Sequence, residues 1–141
     1  MLTKQLSIFL ENKRGRFTEV AKLLGEEGIN MTAFTVSENS DFGILRLIVS
    51  DPEKALLVLR NRKYAVTEAD VLCMHCPNKP GALGRAMDIL TRAGIFIEYM
   101  YAFSEGESAN VIIRPDNLEA CVEVLNANKL ELLAASDLYK L

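Results

Sequence analysis

The segment Cys73-Met74-His75-Cys76 puts two thiols and the single histidine of the chain within four residues. Those are the soft donors that a zinc ion or a thiol redox couple would use. Their spacing argues against both. A structural zinc needs about four converging ligands, yet in an extended segment Cys73 and His75 share one face while Cys76 points to the other. Cys121, the remaining thiol, lies in a helical pattern. A redox Cys-x-x-Cys opens a helix, whereas this one sits in a strand pattern. The segment reads as a strand with small, soft side chains, and no metal or cofactor is expected. No catalytic residues are expected either. His75 has no nucleophile at motif spacing, and the chain contains no glycine-rich phosphate loop, HExxH or GxSxG.

Two other segments carry a different chemistry. Asn12-Lys13-Arg14-Gly15 and Asn78-Lys79-Pro80-Gly81 each precede a helical pattern. Glycine has no Cβ, so backbone there can approach a ligand closely. A helix N-terminus offers unpaired N–H groups and partial positive charge to a carboxylate. Asparagine supplies a donor and an acceptor, suited to an ammonium or an amide. Such a turn fits a zwitterionic amino acid; the plainer reading is a turn with a helix cap.

The elements that position these turns repeat. Shifting the sequence by 66 residues lays Leu6, Asn12, Lys13, Gly15, Leu24, Gly28 and Ile29 on identical residues at Leu72, Asn78, Lys79, Gly81, Leu90, Gly94 and Ile95. A shift of 65 lays Asp51 and Ala55 on Asp116 and Ala120. Each half reads strand, helix, strand, strand, helix, strand. In the first half, Leu6, Ile8 and Leu10 alternate with Ser7, Phe9 and Glu11, a period of two that marks one face of a strand. Phe17, Val20, Ala21 and Leu24 follow at helical spacing, and Gly25 and Gly28 end that helix. Met31–Val36 and Ile44–Val49 form a hairpin around the loop 37–43. Ser50-Asp51-Pro52-Glu53 opens a second helix with a capping side chain and a proline, and Tyr64–Thr67 closes the half. The second half repeats this with Val71–Cys76, Leu83–Ala93, Ile95–Phe103, Ala109–Ile113, Leu118–Leu125 and Leu130–Ala135. Glu68-Ala69-Asp70 reads as a short linker. The fold class is α+β: two ferredoxin-like βαββαβ units with antiparallel sheets, over residues 1–69 and 70–141.

Composition limits the function. The chain has 141 residues, half of them hydrophobic, and a net charge of −3 from 16 basic and 19 acidic residues. There is no basic stripe for nucleic acid and no apolar run of the ~18–20 residues a membrane span requires. The start lacks the apolar core of a signal peptide. Three cysteines, an odd count, read as reduced thiols in a cytoplasmic protein.

The turn in its frame resembles the ACT domains, small regulatory units of amino-acid metabolism. The likeness rests on the βαββαβ order, the glycine turn after the first strand and the Gly-Ile after the first helix. Asn78-Lys79-Pro80-Gly81-Ala82-Leu83 stands close to the family's N/D-x-P-G-x-L. The first half departs from it, with Arg14 for proline and Phe17 for leucine. The resemblance covers the whole chain and implies a pair of such domains. It also implies one eight-stranded sheet, joined side by side through the second strands at 30–37 and 96–103.

It implies a non-catalytic sensor that binds a free amino acid at the interface of the two domains and regulates a separate enzyme or regulator. The alternatives are a structural docking subunit with vestigial sites and a small thiol or metal protein. In antiparallel pairing of the second strands, Asn30 and Met31 would join Asn78, Lys79, Pro80, Gly81, Ala82 and Leu83 in the dominant site. Asn12, Lys13, Arg14, Gly15, Arg16 and Phe17 with Phe96 and Ile97 would form a weaker one, since Phe96 replaces the strand asparagine. Tyr99 and Tyr101, with Met100 and Phe103 nearby, form an aromatic patch. A sheet with one uncovered, half-apolar face would associate, so a homodimer is expected.

Overall fold

The computed structural model describes residues 2–38 and 41–141. Asn39 and Ser40, within the expected hairpin loop, and Met1 lie outside the described residues. Twelve elements follow one another among the described residues: β1 (Thr3–Glu11), α1 (Arg16–Glu26), β2 (Met31–Glu38), β3 (Phe42–Val49), α2 (Pro52–Asn61), β4 (Ala65–Pro77), α3 (Ala82–Arg92), β5 (Ile97–Glu105), β6 (Ser108–Pro115), α4 (Leu118–Ala127), β7 (Glu131–Leu132) and α5 (Ala135–Tyr139). The order βαββαβ is met twice, so the expected fold class holds.

Two compact units form. The first consists of Lys4–Ala69 with Ser136–Leu141, and the second of Asp70–Ala135 with residues 2–3. The units thus exchange their ends relative to a cut at 69/70. In the first unit, Lys4 N–H donates to the Tyr139 hydroxyl at 2.8 Å, and Leu138 is fully buried.

In the first unit the strand order is β4-β1-β3-β2, and in the second it is β7-β4-β6-β5. The registers match across the repeat. Leu10 faces Gly43 and Val36 faces Leu45 in the first unit. Cys76 faces Ala109 and Ala102 faces Val111 in the second. Among the described residues eight strand places are filled by seven strands, because β4 appears in both orders. Glu68-Ala69-Asp70 is therefore no linker but the interior of a strand. β2 and β5 are the end strands of the order, and no pairing between them is found among the described residues.

Alternation along the strands builds one core per unit. Leu6, Ile8, Leu10, Leu45 and Leu47 pack with Val20 and Leu24 of α1 and with Ala55 and Leu59 of α2. Leu72, Met74, Cys76, Val111 and Ile113 pack with Ala86 and Leu90 of α3 and with Cys121 and Leu125 of α4. The opposite strand face is not the open surface expected. Gln5, Ser7, Ile48, Cys73, Asn110 and Ile112 there are all buried. The face read as uncovered is thus closed at these positions. His75 Nδ1 lies 2.8 Å from Asn110 Oδ1. Tyr99, Tyr101 and Phe103 share that face, opposite Arg114, Ile112 and Asn110.

Candidate functional site

The two turns take the same backbone form. Gly15 and Gly81 each precede a helix at φ +87° and +85°, a left-handed conformation that favours glycine. Asn12 N–H donates to Asp41 O at 3.1 Å, and Asn78 N–H donates to Glu107 O at 2.7 Å. Each turn is thereby tied to the tip of its own hairpin. Neither α1 nor α3 has a side-chain cap. By contrast, Asp51 caps α2 through Lys54 N–H at 3.1 Å, and Asn117 caps α4 through Ala120 N–H at 3.0 Å. The helices behind the two glycine turns thus begin without the side-chain acceptor that the other two possess.

The surroundings of the two turns differ. In the second unit a cavity of about 340 Å³ opens beside the turn, with Asn78, Lys79 and Leu83 on one side. Ala102 and Ser104 of β5 and Ala109 and Val111 of β6 line the other. Leu83 is exposed. In the first unit the matching residue, Phe17, packs against the core. The tip of its ring lies 3.0 Å from where a Cβ on Gly43 would stand. A side chain at position 43 would press on the ring, which would have to give by a few tenths of an ångström.

The charges differ as well. Lys13 Nζ is 2.8 Å from Glu11, and that contact holds the Glu11 carboxyl below its ordinary value, with help from Arg16. Arg16 lies 3.5 Å from Glu11 and 3.3 Å from Glu19, and Glu19 also accepts from the Tyr64 hydroxyl at 3.1 Å. Lys13 and Arg16 of the first turn are thus engaged by neighbouring acids. In the second unit Pro77 and Arg85 stand where Glu11 and Glu19 stand in the first. Lys79 therefore has no counterpart of the Glu11 that holds Lys13.

Asn30 and Met31 belong to the first unit and Asn78–Leu83 to the second. Asn30 N–H donates to Ser50 Oγ at 2.9 Å, and its side-chain amide donates to Leu141 O at 3.2 Å. Phe96 and Ile97 belong to the second unit and Asn12–Phe17 to the first. Within one unit, then, Asn78, Lys79 and Leu83 line one cavity, with Pro80, Gly81 and Ala82 forming the turn behind it. Sequence reasoning missed the other wall, Ala102, Ser104, Ala109 and Val111. The shift of 66 residues could have shown it, since Ala109 stands where the first half has Gly43.

The thiols are no reactive site. Cys73, Cys76 and Cys121 are free and buried. Burial pushes the Cys73 thiol up to about 12, and burial, aided by the Asp116 charge, pushes Cys121 up to about 11. Cys76 and Cys121 lie in the helix-side core, away from the strand face of Cys73 and His75.

The family model for the ACT domain pair matches residues 1–141. The chain belongs to the ACT domain pair family. No curated protein matches this ACT pair. Among solved structures it is similar to protein BT0572 of Bacteroides thetaiotaomicron, at 56% identity and TM-score 0.96, covering 100% of this chain and 98% of that one. The ligand-free regulatory subunit of aspartate kinase from Thermus thermophilus shares the fold at 15% identity and TM-score 0.66, covering 89% and 93%. The corresponding subunit from Thermus flavus does so at 16% and 0.63, covering 90% and 93%. No described helix of the ACT pair is long and apolar enough to cross a membrane.

Proposed function

We propose that this ACT pair is a non-catalytic cytoplasmic sensor that binds a free amino acid at the Asn78–Leu83 turn and regulates a separate protein. The observation that carries this reading is the cavity beside an uncapped helix start, lined by Asn78 and Lys79. The carboxylate would meet the α3 N-terminus and Lys79, and the ammonium would meet the Asn78 carbonyl. Regulation of a separate enzyme is supported by the fold shared with the aspartate kinase regulatory subunits. The cytoplasmic placement is supported by the free thiols.

Calorimetric titration with each of the twenty amino acids tests the reading. Asn78→Ala is expected to weaken binding about tenfold or more, the loss of a hydrogen bond to a charged group. Asn12→Ala is expected to matter less, and a loss for Asn30→Ala equal to that of Asn78→Ala would assign Asn30 to the same ligand. Binding of none of the twenty would leave the docking-subunit reading in its place.

The protein is also proposed to be a homodimer, now on a different surface. Phe34 and Val36 of the end strand β2 and Met100 of the end strand β5 are exposed, as is Phe96 just before β5. Such apolar end strands favour pairing with a second copy. Sedimentation at tens of micromolar is expected to show a species of twice the 15.7 kDa chain mass; a monomer alone would overturn this.

A further inference from the structure

The first unit shows what the cavity of the second accommodates. Position 17 is Phe and its partner at 43 is Gly; the matching positions 83 and 109 are Leu and Ala. In the first unit the phenyl ring lies over Gly43 and joins the core. In the second, Leu83 is shorter and stays exposed, and a cavity of about 340 Å³ lies between it and Ala109. The space held by hydrocarbon in one unit is open in the other.

The floor of that cavity is apolar: Cys76, Leu83, Ala102, Ala109 and Val111. The polar groups, Asn78, Lys79 and Ser104, lie on the side of the turn and the hairpin tip. Among the described residues no acidic side chain lines it, so a basic ligand side chain would be desolvated without a partner. An acidic one would compete with the ligand's own carboxylate for Lys79.

We propose that the bound amino acid has an aliphatic side chain, of the size of valine or leucine, seated over Ala109 where the first unit seats the ring of Phe17. This rests on the reading that the Asn78 turn holds an amino acid. The pair Leu83/Ala109 then sets specificity, and the pair Phe17/Gly43 keeps the first unit closed.

The test is calorimetric titration of the full chain with L-valine, L-leucine, L-aspartate and L-lysine. The aliphatic pair is expected to bind at least tenfold more tightly than the charged pair. Leu83→Phe combined with Ala109→Gly rebuilds the closed arrangement and is expected to weaken valine binding at least tenfold. Should that variant fail to fold, Ala102→Leu fills the same space from an exposed position and is expected to do likewise. If charged amino acids bind as tightly as valine while Asn78→Ala still abolishes binding, the side-chain inference falls and the site stands. If both cavity-filling variants bind valine as the wild type does, the inference falls too. If Asn78→Ala leaves valine binding unchanged, the site reading falls and takes this inference with it.

Discussion

Leu24→Ala and Leu90→Ala are each expected to cost about 2–5 kcal/mol of stability. The two leucines are matching residues of α1 and α3, each fully buried, and each sits in the core of its own unit. Truncation removes the transfer free energy of the lost methyl and methylene groups and leaves a void that a packed interior closes only in part. Domains are stable by only about 5–15 kcal/mol, so either change removes a large share of the total. Denaturant midpoints at unchanged slope measure it. Equal losses well below about 1 kcal/mol would contradict the packing described.

Alkaline pH is expected to weaken the fold through its buried thiols. Cys73 and Cys121 ionise near 12 and 11 in the folded chain, against an ordinary value of 9. Their folded values are raised, so the unfolded chain gives up its protons first. The contribution is intact below pH 9 and is lost as pH rises through 9 toward the folded values. At a pH of about 10.5 the loss is about 2 kcal/mol per thiol. Urea unfolding of the wild type, Cys73→Ala and Cys121→Ala at about pH 7.5 and 10.5 separates this from other titrations. Each variant is expected to lose less stability between the two pH values than the wild type. Equal losses in all three would rule the thiols out.

Much of this fold is legible in the sequence, because burial on one face writes itself as a period. Leu6, Ile8 and Leu10 mark β1 and, shifted by 66 residues, their counterparts mark β4. The features that escaped are those in which backbone pairing or two-sided burial ignores side-chain character. Glu68 and Asp70 look like a linker, yet a ladder needs only N–H and C=O groups, and β4 runs through them. Gln5, Ser7 and Asn110 have the polarity of a solvent face, yet all three are buried. The five residues of α5 are too few to show a helical period. At the candidate site the turn was visible as a motif. The fate of the space beside it was not, because it depends on how Phe17 meets Gly43 and how Leu83 meets Ala109, contacts between residues far apart in sequence.

The exchanged ends impose an order of assembly during synthesis. The first unit counts Ser136–Leu141 among its residues, so it cannot be completed while the ribosome is still making the second. Until then the backbone N–H of Lys4 lacks the Tyr139 hydroxyl, and the place filled by Leu138 stands open. Joining residues that far apart closes a very long loop, which slows folding more than it lowers stability. The nascent first half therefore lacks the packing that Leu138 supplies until the last residues are made. A fragment ending near residue 69 would lack Ser136–Leu141, which the first unit counts among its residues.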